Sequence, residues 1–193
     1  MPTSLFENNP QYIFWMPQSS GSWYHTTLAS PTTTTLSIAG AGNPVTFATL
    51  YAMPIIVPDR VTVSEIGLEI TTTSTASTLY VGVYSDNNTY PGTLIASSGS
   101  IDTTTTGFKS SVVSATLQSG IYWLGLRHES VGATGVRATT PILGLLGMSY
   151  PANASSSGCY YMTYTELAEN IPNPFPAGAS LVSGSCPRVM IKL

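Results

Sequence analysis

The sequence predicts an all-β fold, an antiparallel β-sandwich, from three observations. Short segments alternate apolar and polar residues with a period of two, as half-buried strands do. Turn-forming residues separate these segments at roughly 8–12-residue spacing, which is typical of sandwiches. The connections leave no room for the crossover helices that a parallel sheet would need. The 193 residues fit a single domain with one substantial core.

Residues 1–42 form the first predicted element, an extended N-terminal arm in which prolines interrupt Ser-, Thr- and Asn-rich stretches. Such segments usually bury too little apolar surface to offset the entropy of ordering. Either the body of its own domain or a neighbouring molecule must therefore hold the arm, and we expect a neighbouring chain, through strand addition. The expected contact residues are the arm's aromatic side chains Phe14, Trp15, Trp23 and Tyr24.

The sandwich domain is expected over residues 43–193. Its first strands are the apolar run Ala48–Val57 and the segment Val61–Ile70. In the second segment the apolar residues change parity near Ser64 and Glu65, which predicts a β-bulge there.

Further strands are predicted through the middle of the domain, with turns between them that contain Pro91–Gly92 and Gly120. In the segment Lys109–Leu117 one set of residues, Val113, Ala115 and Leu117, alternates with a second set, Ser110, Val112 and Ser114. The predicted strands are Leu79–Tyr84, Thr93–Ala96, Lys109–Leu117 and Ile121–Leu126.

The last third of the chain gives weaker patterns. Pro141–Met148 is the most hydrophobic window, and it is either a buried strand or an exposed apolar loop that docks on a symmetry mate. Under the second interpretation its contact residues are Ile142, Leu143, Leu145 and Leu146. Glu166 and Glu169 lie three residues apart, which suggests a helical turn within Tyr160–Asn170. Arg188–Leu193 alternates like a strand.

Composition narrows the classes of partner. Only 8% of the residues are charged, whereas 27 Thr and 25 Ser supply polar surface, so weak electrostatic repulsion permits dense packing in an assembly. Six scattered Lys and Arg residues form no phosphate-binding stripe, which argues against a nucleic-acid partner. No stretch resembles a secretory signal or a membrane span, so we expect no membrane partner.

The residues of catalysis are sparse, and we expect no enzyme, no cofactor and no metal site. His128 lacks a serine nucleophile motif nearby and is interpreted as a surface histidine. Glu65 and Glu69 form a close acidic pair, but the predicted bulge should separate their faces. Cys159 and Cys186 are expected to be thiols without a disulfide, because their spacing matches no motif.

Several motifs then resemble a known family. Pro58-Asp59-Arg60-Val61-Thr62-Val63, Val81-Gly82-Val83-Tyr84-Ser85-Asp86, Pro91-Gly92-Thr93-Leu94 and Gly120-Ile121-Tyr122-Trp123-Leu124 are similar to a jelly-roll module of tailed-bacteriophage virion proteins. That module occurs in capsid decoration (cement) proteins, head fibres and tail-fibre tips. The resemblance covers about residues 50–126 and implies a jelly-roll-like sandwich in a virion that is assembled in the host cytoplasm.

Three functions follow as hypotheses. The first is a capsid decoration protein, a homotrimer at a local threefold axis that binds the major capsid protein or another virion protein through its arm. The second is a tail-fibre or head-fibre receptor-binding protein that recognises host glycans with aromatics such as Tyr84, Tyr90, Tyr160 and Tyr161. The third, a carbohydrate-active enzyme or secreted lectin, lacks paired acids in the sequence.

Overall fold

A computed structural model describes residues 21–25, 35–38, 48–129, 132, 134–139, 160–166, 170–183 and 186–193. Within these ranges the chain forms thirteen strands. They are β1 (Trp23–His25), β2 (Thr35–Ile38), β3 (Ala48–Val57), β4 (Val61–Thr72), β5 (Thr78–Asp86), β6 (Pro91–Ser97), β7 (Gly107–Leu117), β8 (Gly120–Glu129), β9 (Thr134–Thr139), β10 (Tyr160–Glu166), β11 (Ser180–Ser183), β12 (Cys186–Pro187) and β13 (Met190–Lys192).

The strands form two antiparallel sheets that pack face to face, so the predicted β-sandwich is confirmed. The seven-stranded sheet has the order β1-β13-β4-β9-β12, with β7 beside β4 and β2 beside β9. The six-stranded sheet has the order β11-β10-β3-β8-β5-β6. Successive strands mostly lie in opposite sheets, and only β5–β6 and β10–β11 pair as neighbours along the described chain.

The described residues contain no helix, and hence none that is long and apolar enough to cross a membrane. Within the segment Tyr160–Asn170, where a helical turn was expected, Tyr160–Glu166 is instead strand β10, which pairs with both β3 and β11. Residues 167–169 lie outside the described part of the chain. The apolar window Pro141–Met148 lies outside the described residues.

An irregularity is confirmed at the position where the sequence predicted a bulge. The register between β4 and β7 shifts between Val63 and Glu65, where Ser64 alone lies opposite two residues of β7, Val113 and Ser114. Before the shift Val61 and Val63 face the opposite sheet, and after it Ile66, Leu68 and Ile70 do so. The shift thus keeps every large apolar side chain of this twelve-residue strand in the core.

Two described parts of the predicted arm belong to the sandwich's own sheet. Strand β1 pairs antiparallel with β13, so that Trp23 lies opposite Lys192 and Tyr24 opposite Ile191. Strand β2 pairs with β9. Their hydrogen bonds come from the same chain, and not from the neighbouring molecule that we expected. Phe14 and Trp15 lie outside the described residues.

The main core lies between the sheets and consists almost entirely of aliphatic side chains. Leu79, Val81 and Val83 of β5 meet Ile66, Leu68 and Ile70 of β4 across it. Cys186 is also fully buried there, and Cys159 lies outside the described part of the chain. Burial of these side chains stabilises the sandwich at about 25 cal/mol for each Å² of apolar surface removed from water.

A second core covers the outer face of the six-stranded sheet. Residues 170–179, which we call the strap, cross this face and bury Phe175 against Tyr84 and Trp123. The Phe175 ring makes edge-on contacts with Tyr84 at 5.3 Å and Tyr90 at 5.8 Å between ring centroids. Trp123 is therefore buried beneath the strap, on the side of β8 that faces away from the other sheet.

Hydrogen bonds fix the strap at both ends. The hydroxyl of Tyr84 donates to the carbonyl of Pro172 at 2.8 Å, and that of Tyr90 donates to the carbonyl of Pro176 at 2.6 Å. The amide of Phe175 donates to the carbonyl of Gly92 at 2.9 Å. Beneath the strap, the indole N–H of Trp123 donates to Asp86 Oδ1 at 2.8 Å. The buried polar groups of these aromatics are thus satisfied.

Small residues make room for the strap. Ala52, Gly125 and Gly82 lie directly opposite one another on β3, β8 and β5. A Cβ atom on Gly82 would lie 2.7 Å from Cδ1 of Ile171 in the strap, and one on Gly125 would lie 2.7 Å from the Tyr84 ring. We call this row of Ala52, Gly125 and Gly82 the furrow. Larger side chains at its two glycines would collide with Ile171 or Tyr84.

Replacing Phe175 by alanine should detach the strap. Loss of a buried phenylalanine typically costs about 3–5 kcal/mol, so we expect the free energy of unfolding to fall by about that amount. Amide exchange in residues 170–179 should speed up more than exchange in β3 or β8. Phe108→Ala, at a side chain that is 43% exposed, is the matched control and should cost clearly less. Equal losses from the two variants would contradict the assigned role of Phe175.

Candidate interaction surface

The arm's two described contact residues point to opposite sides of β1. Tyr24 packs against the core between the sheets and lines a small apolar cavity of about 20 Å³ beside Ile191 and Leu193. That volume holds about one water molecule, so it is no site for a substrate. Trp23 lies on the outer face of the seven-stranded sheet, where it contacts Phe108 of β7.

Trp23 and Phe108 form an aromatic pair across two intervening strands. Their ring centroids are 4.6 Å apart and the ring planes meet at 73°. Gly67 of β4 lies against the Phe108 ring, because a Cβ atom there would be 3.0 Å from Cζ of Phe108 and 2.4 Å from the carbonyl oxygen of Lys109. The Lys192 ammonium lies 5.8 Å from the Trp23 ring centroid, within the range of a cation–π contact.

Apolar surface remains exposed at this pair and further along the same face of β7. Phe108 is 43% exposed and Val112, four residues further along β7, is 86% exposed. We call Trp23, Phe108 and Val112 the aromatic patch. It occupies a sheet face and not a cleft, which suits contact with another macromolecule better than enclosure of a small molecule.

The charged residues of this face form two separate groups. The Glu65 carboxylate accepts hydrogen bonds from Lys192 Nζ at 2.5 Å and from Ser110 Oγ at 2.7 Å. The Glu69 carboxylate accepts from Arg137 Nη2 at 2.6 Å and from Arg188 Nη2 at 2.9 Å. Each group ties β4 to a strand that is distant in sequence.

These contacts keep both acids ionised. The hydrogen bond from Arg137 is the main reason that the pKa of Glu69 lies below its ordinary value, with the charges of Arg137 and Arg188 adding to it. Hydrogen bonds from Lys192 and then Ser110 lower the pKa of Glu65 in the same way. A carboxyl group with a lowered pKa is a poor general acid at neutral pH.

The expected separation of Glu65 and Glu69 onto different faces is wrong. The register shift lies before both residues, between Val63 and Glu65, so both point outward. Four residues of strand nevertheless place them about 13 Å apart at roughly 3.3 Å per residue. Paired catalytic carboxyls lie roughly 5–9.5 Å apart, and each of these acids already has its own cationic partner.

His128 is buried, so its interpretation as a surface histidine is also wrong. It is 3% exposed, and its Nε2 lies 3.4 Å from Ser77 Oγ. The Ser77 hydroxyl itself lies 2.8 Å from the carbonyl oxygen of Gly132, to which it donates. A serine whose proton is directed to a carbonyl is not activated by the histidine. Burial lowers the pKa of His128, although a hydrogen bond with the backbone of Gly132 opposes that effect.

The tyrosines named for glycan recognition are mostly occupied within the fold. Tyr84 and Tyr161 are buried, and burial raises the pKa of the Tyr161 hydroxyl. The Tyr90 hydroxyl donates to Pro176 and accepts from the amide of Ala179. Within the described ranges, no group of three or more His, Cys, Asp or Glu residues could hold a metal ion.

The sequence pointed to Trp23 but not to the residues around it. Val112 had a signal, since the alternation in β7 placed it with the serines on the outward face. Phe108, Lys192 and Glu65 had none, because their contacts join residues more than forty positions apart. Ile142, Leu143, Leu145 and Leu146 lie outside the described residues.

The buried neutral His128 should make the protein less stable as the pH falls. The unfolded chain binds a proton on His128 below about pH 6.5, whereas the folded chain binds it only at lower pH, so the free energy of unfolding falls below that point. We expect urea unfolding at about pH 7.5 and about pH 5.5 to show this loss in the wild type and much less of it in His128→Gln. The stability that Glu65 and Glu69 add through their lowered pKa values is lost mainly below about pH 5, where the carboxyls of the unfolded chain begin to bind protons. It therefore changes little between about pH 7.5 and about pH 5.5.

His25→Gln provides the control, since His25 and His128 are the two histidines of the chain. A pH dependence of the free energy of unfolding that persists in His128→Gln but is absent in His25→Gln would come from His25. An unchanged slope in His128→Gln would contradict the assignment to the buried histidine.

A scan against protein-family models gives no match for this chain, and a search of curated proteins finds no significant one.

Proposed function

We propose that the chain is a non-enzymatic structural protein of a bacteriophage virion, a decoration protein that binds the capsid shell. The observation that carries the proposal is the aromatic patch, where Phe108 and Val112 stay exposed on the outer face of a sheet. Large apolar side chains left exposed on one sheet face are typical of a contact with another protein. The sequence resemblance to virion jelly-roll modules supplies the capsid as the partner.

The charge pattern supports a protein partner. Glu65 and Glu69 are already neutralised by cations of their own sheet, so a partner need not supply countercharges for them. Covering paired charges costs less electrostatic free energy than covering unpaired ones. The major capsid protein, or another virion protein, is the partner we propose.

The N-terminal segment adds a second attachment point in this proposal. Residues 1–20 join the sandwich at Gly21, whose amide donates to the carbonyl of Leu193 at 2.7 Å. They carry Phe14 and Trp15, which we propose contact the shell. A homotrimer at a local threefold axis, with Pro141–Met148 at its interface, completes the proposal.

Particle imaging gives the direct test. Cryo-electron microscopy of virions that carry the chain should show it on the shell, as trimers at local threefold positions. Density at the tail or at fibre tips would favour the receptor-binding alternative. Absence of the chain from purified particles would contradict both.

Truncation at residue 20 should separate folding from attachment. Removal of residues 1–20 leaves β1 in place, so we expect a cooperative thermal melt close to that of the full chain and a clear loss of binding to particles that lack the protein. Removal of residues 1–42 also deletes β1 and β2, whose partners are β13 and β9, and should lower the melting temperature. Normal decoration by the first truncation would show that residues 1–20 are not an attachment point.

A further inference from the structure

Strand β7 has an unusual edge. Among the described strands only β4 pairs with it, so its other side presents unpaired backbone N–H and C=O groups. It is eleven residues long, contains no proline and carries a single charge, Lys109. A long edge strand of this kind is a ready template for pairing with another strand.

The other outer strands of the two sheets have features that oppose such pairing. Strand β1 has three residues, β2 and β11 have four each, and β12 has two and includes Pro187. Strand β6 begins at Pro91 and pairs with β5 through two register shifts. Short length, proline and bulges are the usual means of blocking an edge. Within the described part of the chain, β7 is the long edge without proline; its pairing with β4 shifts register once, between Val63 and Glu65, but its own alternation of inward and exposed residues continues from Gly107 to Leu117.

We propose that β7 pairs with β7 of a second copy, antiparallel about a twofold axis at Val112, and joins two seven-stranded sheets into one. The inference stands apart from the capsid proposal, because it uses only the geometry of this strand. Val112, at 86% exposed, is the most exposed of the large apolar side chains described, and this register places it against its own copy.

The sequence of β7 is self-complementary in that register. A twofold axis at Val112 places Phe108 opposite Thr116, Ser110 opposite Ser114, and Lys109 opposite Ala115. Ser110 thus meets Ser114 and Val112 meets its own copy, and hydroxyl pairs and β-branched pairs across strands are favourable. No like charges meet, since the two lysines lie on opposite sides of the axis. A twofold contact of this kind uses the same patch on both copies.

The outer-face geometry permits the approach. Ser110, Val112, Ser114 and Thr116 are all exposed and lie on one face of β7. The Trp23–Phe108 pair lies near the Gly107 end of the strand, to one side of the axis. Joining two copies therefore places two aromatic patches on one continuous face, related by the twofold axis.

Charge substitution at Val112 tests the proposal. At micromolar concentration we expect the wild-type chain to sediment as an even-numbered assembly, either a dimer or paired trimers. Val112→Lys and Val112→Glu each place like charges against one another at the axis, which is unfavourable in a cross-strand pair, and should each lose that doubling. An equimolar mixture of the two variants should recover it as a mixed assembly, which native mass spectrometry identifies by mass.

Thr62→Lys is the matched control. Thr62 is exposed on the same face but lies on β4, opposite Thr116, one strand inside the edge, and its variant should assemble like the wild type. Circular dichroism should show native strand content in every variant, because these sites are exposed. A wild-type monomer, an assembly that Val112→Lys leaves unchanged, or a mixture of the Lys and Glu variants that stays apart would each overturn the proposal.

Discussion

The fit between the furrow and the strap is the constraint on which the six-stranded sheet depends. Ala52, Gly125 and Gly82 are directly opposite one another on adjacent strands, and only this row of small side chains lets Ile171 and the Tyr84 ring approach the backbone. The strap then seals Trp123 from solvent. The central strand β8 thereby gains apolar contacts on both faces, with Leu124 and Leu126 on the other side. Side chains on both faces of this sheet are close-packed, so they have less rotamer freedom than side chains on a solvated face would have.

In the seven-stranded sheet, ion pairs on the outer face hold the strands together. No described segment crosses its outer face as the strap crosses the other sheet. Glu69 instead joins β4 to Arg137 of β9 and to Arg188, and Glu65 joins it to Lys192 of β13. In a chain with only 8% charged residues, this places two of the nine acids and three of the six basic residues on one face. Partly exposed ion pairs of this kind add little stability, and their main effect is to align the strands that they join. The aromatic patch is the apolar surface that stays accessible on this face.

The sequence predicted what depends on neighbouring residues. Alternation found the strands from Ala48 to Leu126, and the parity change in β4 found the register shift at Ser64. It could not find the strap, because residues 170–179 have no period and are held by tyrosines more than eighty positions away. The burial of Tyr84 and His128 was missed for the same reason, since alternation assigns a residue to a face and says nothing of what covers that face. For the candidate surface, the sequence identified Trp23 but not its contact with Phe108.

The pairing of β13 with both β1 and β4 has a consequence for synthesis on the ribosome. Chain growth runs from the N-terminus, so β4 and β7 emerge long before Met190–Lys192 exist to fill the space between β1 and β4. Folds rich in such long-range pairings form slowly, and partly exposed sheets are prone to associate while they wait. The nascent seven-stranded sheet therefore carries a temporary second open edge on β4, which closes only when the last strand has been made.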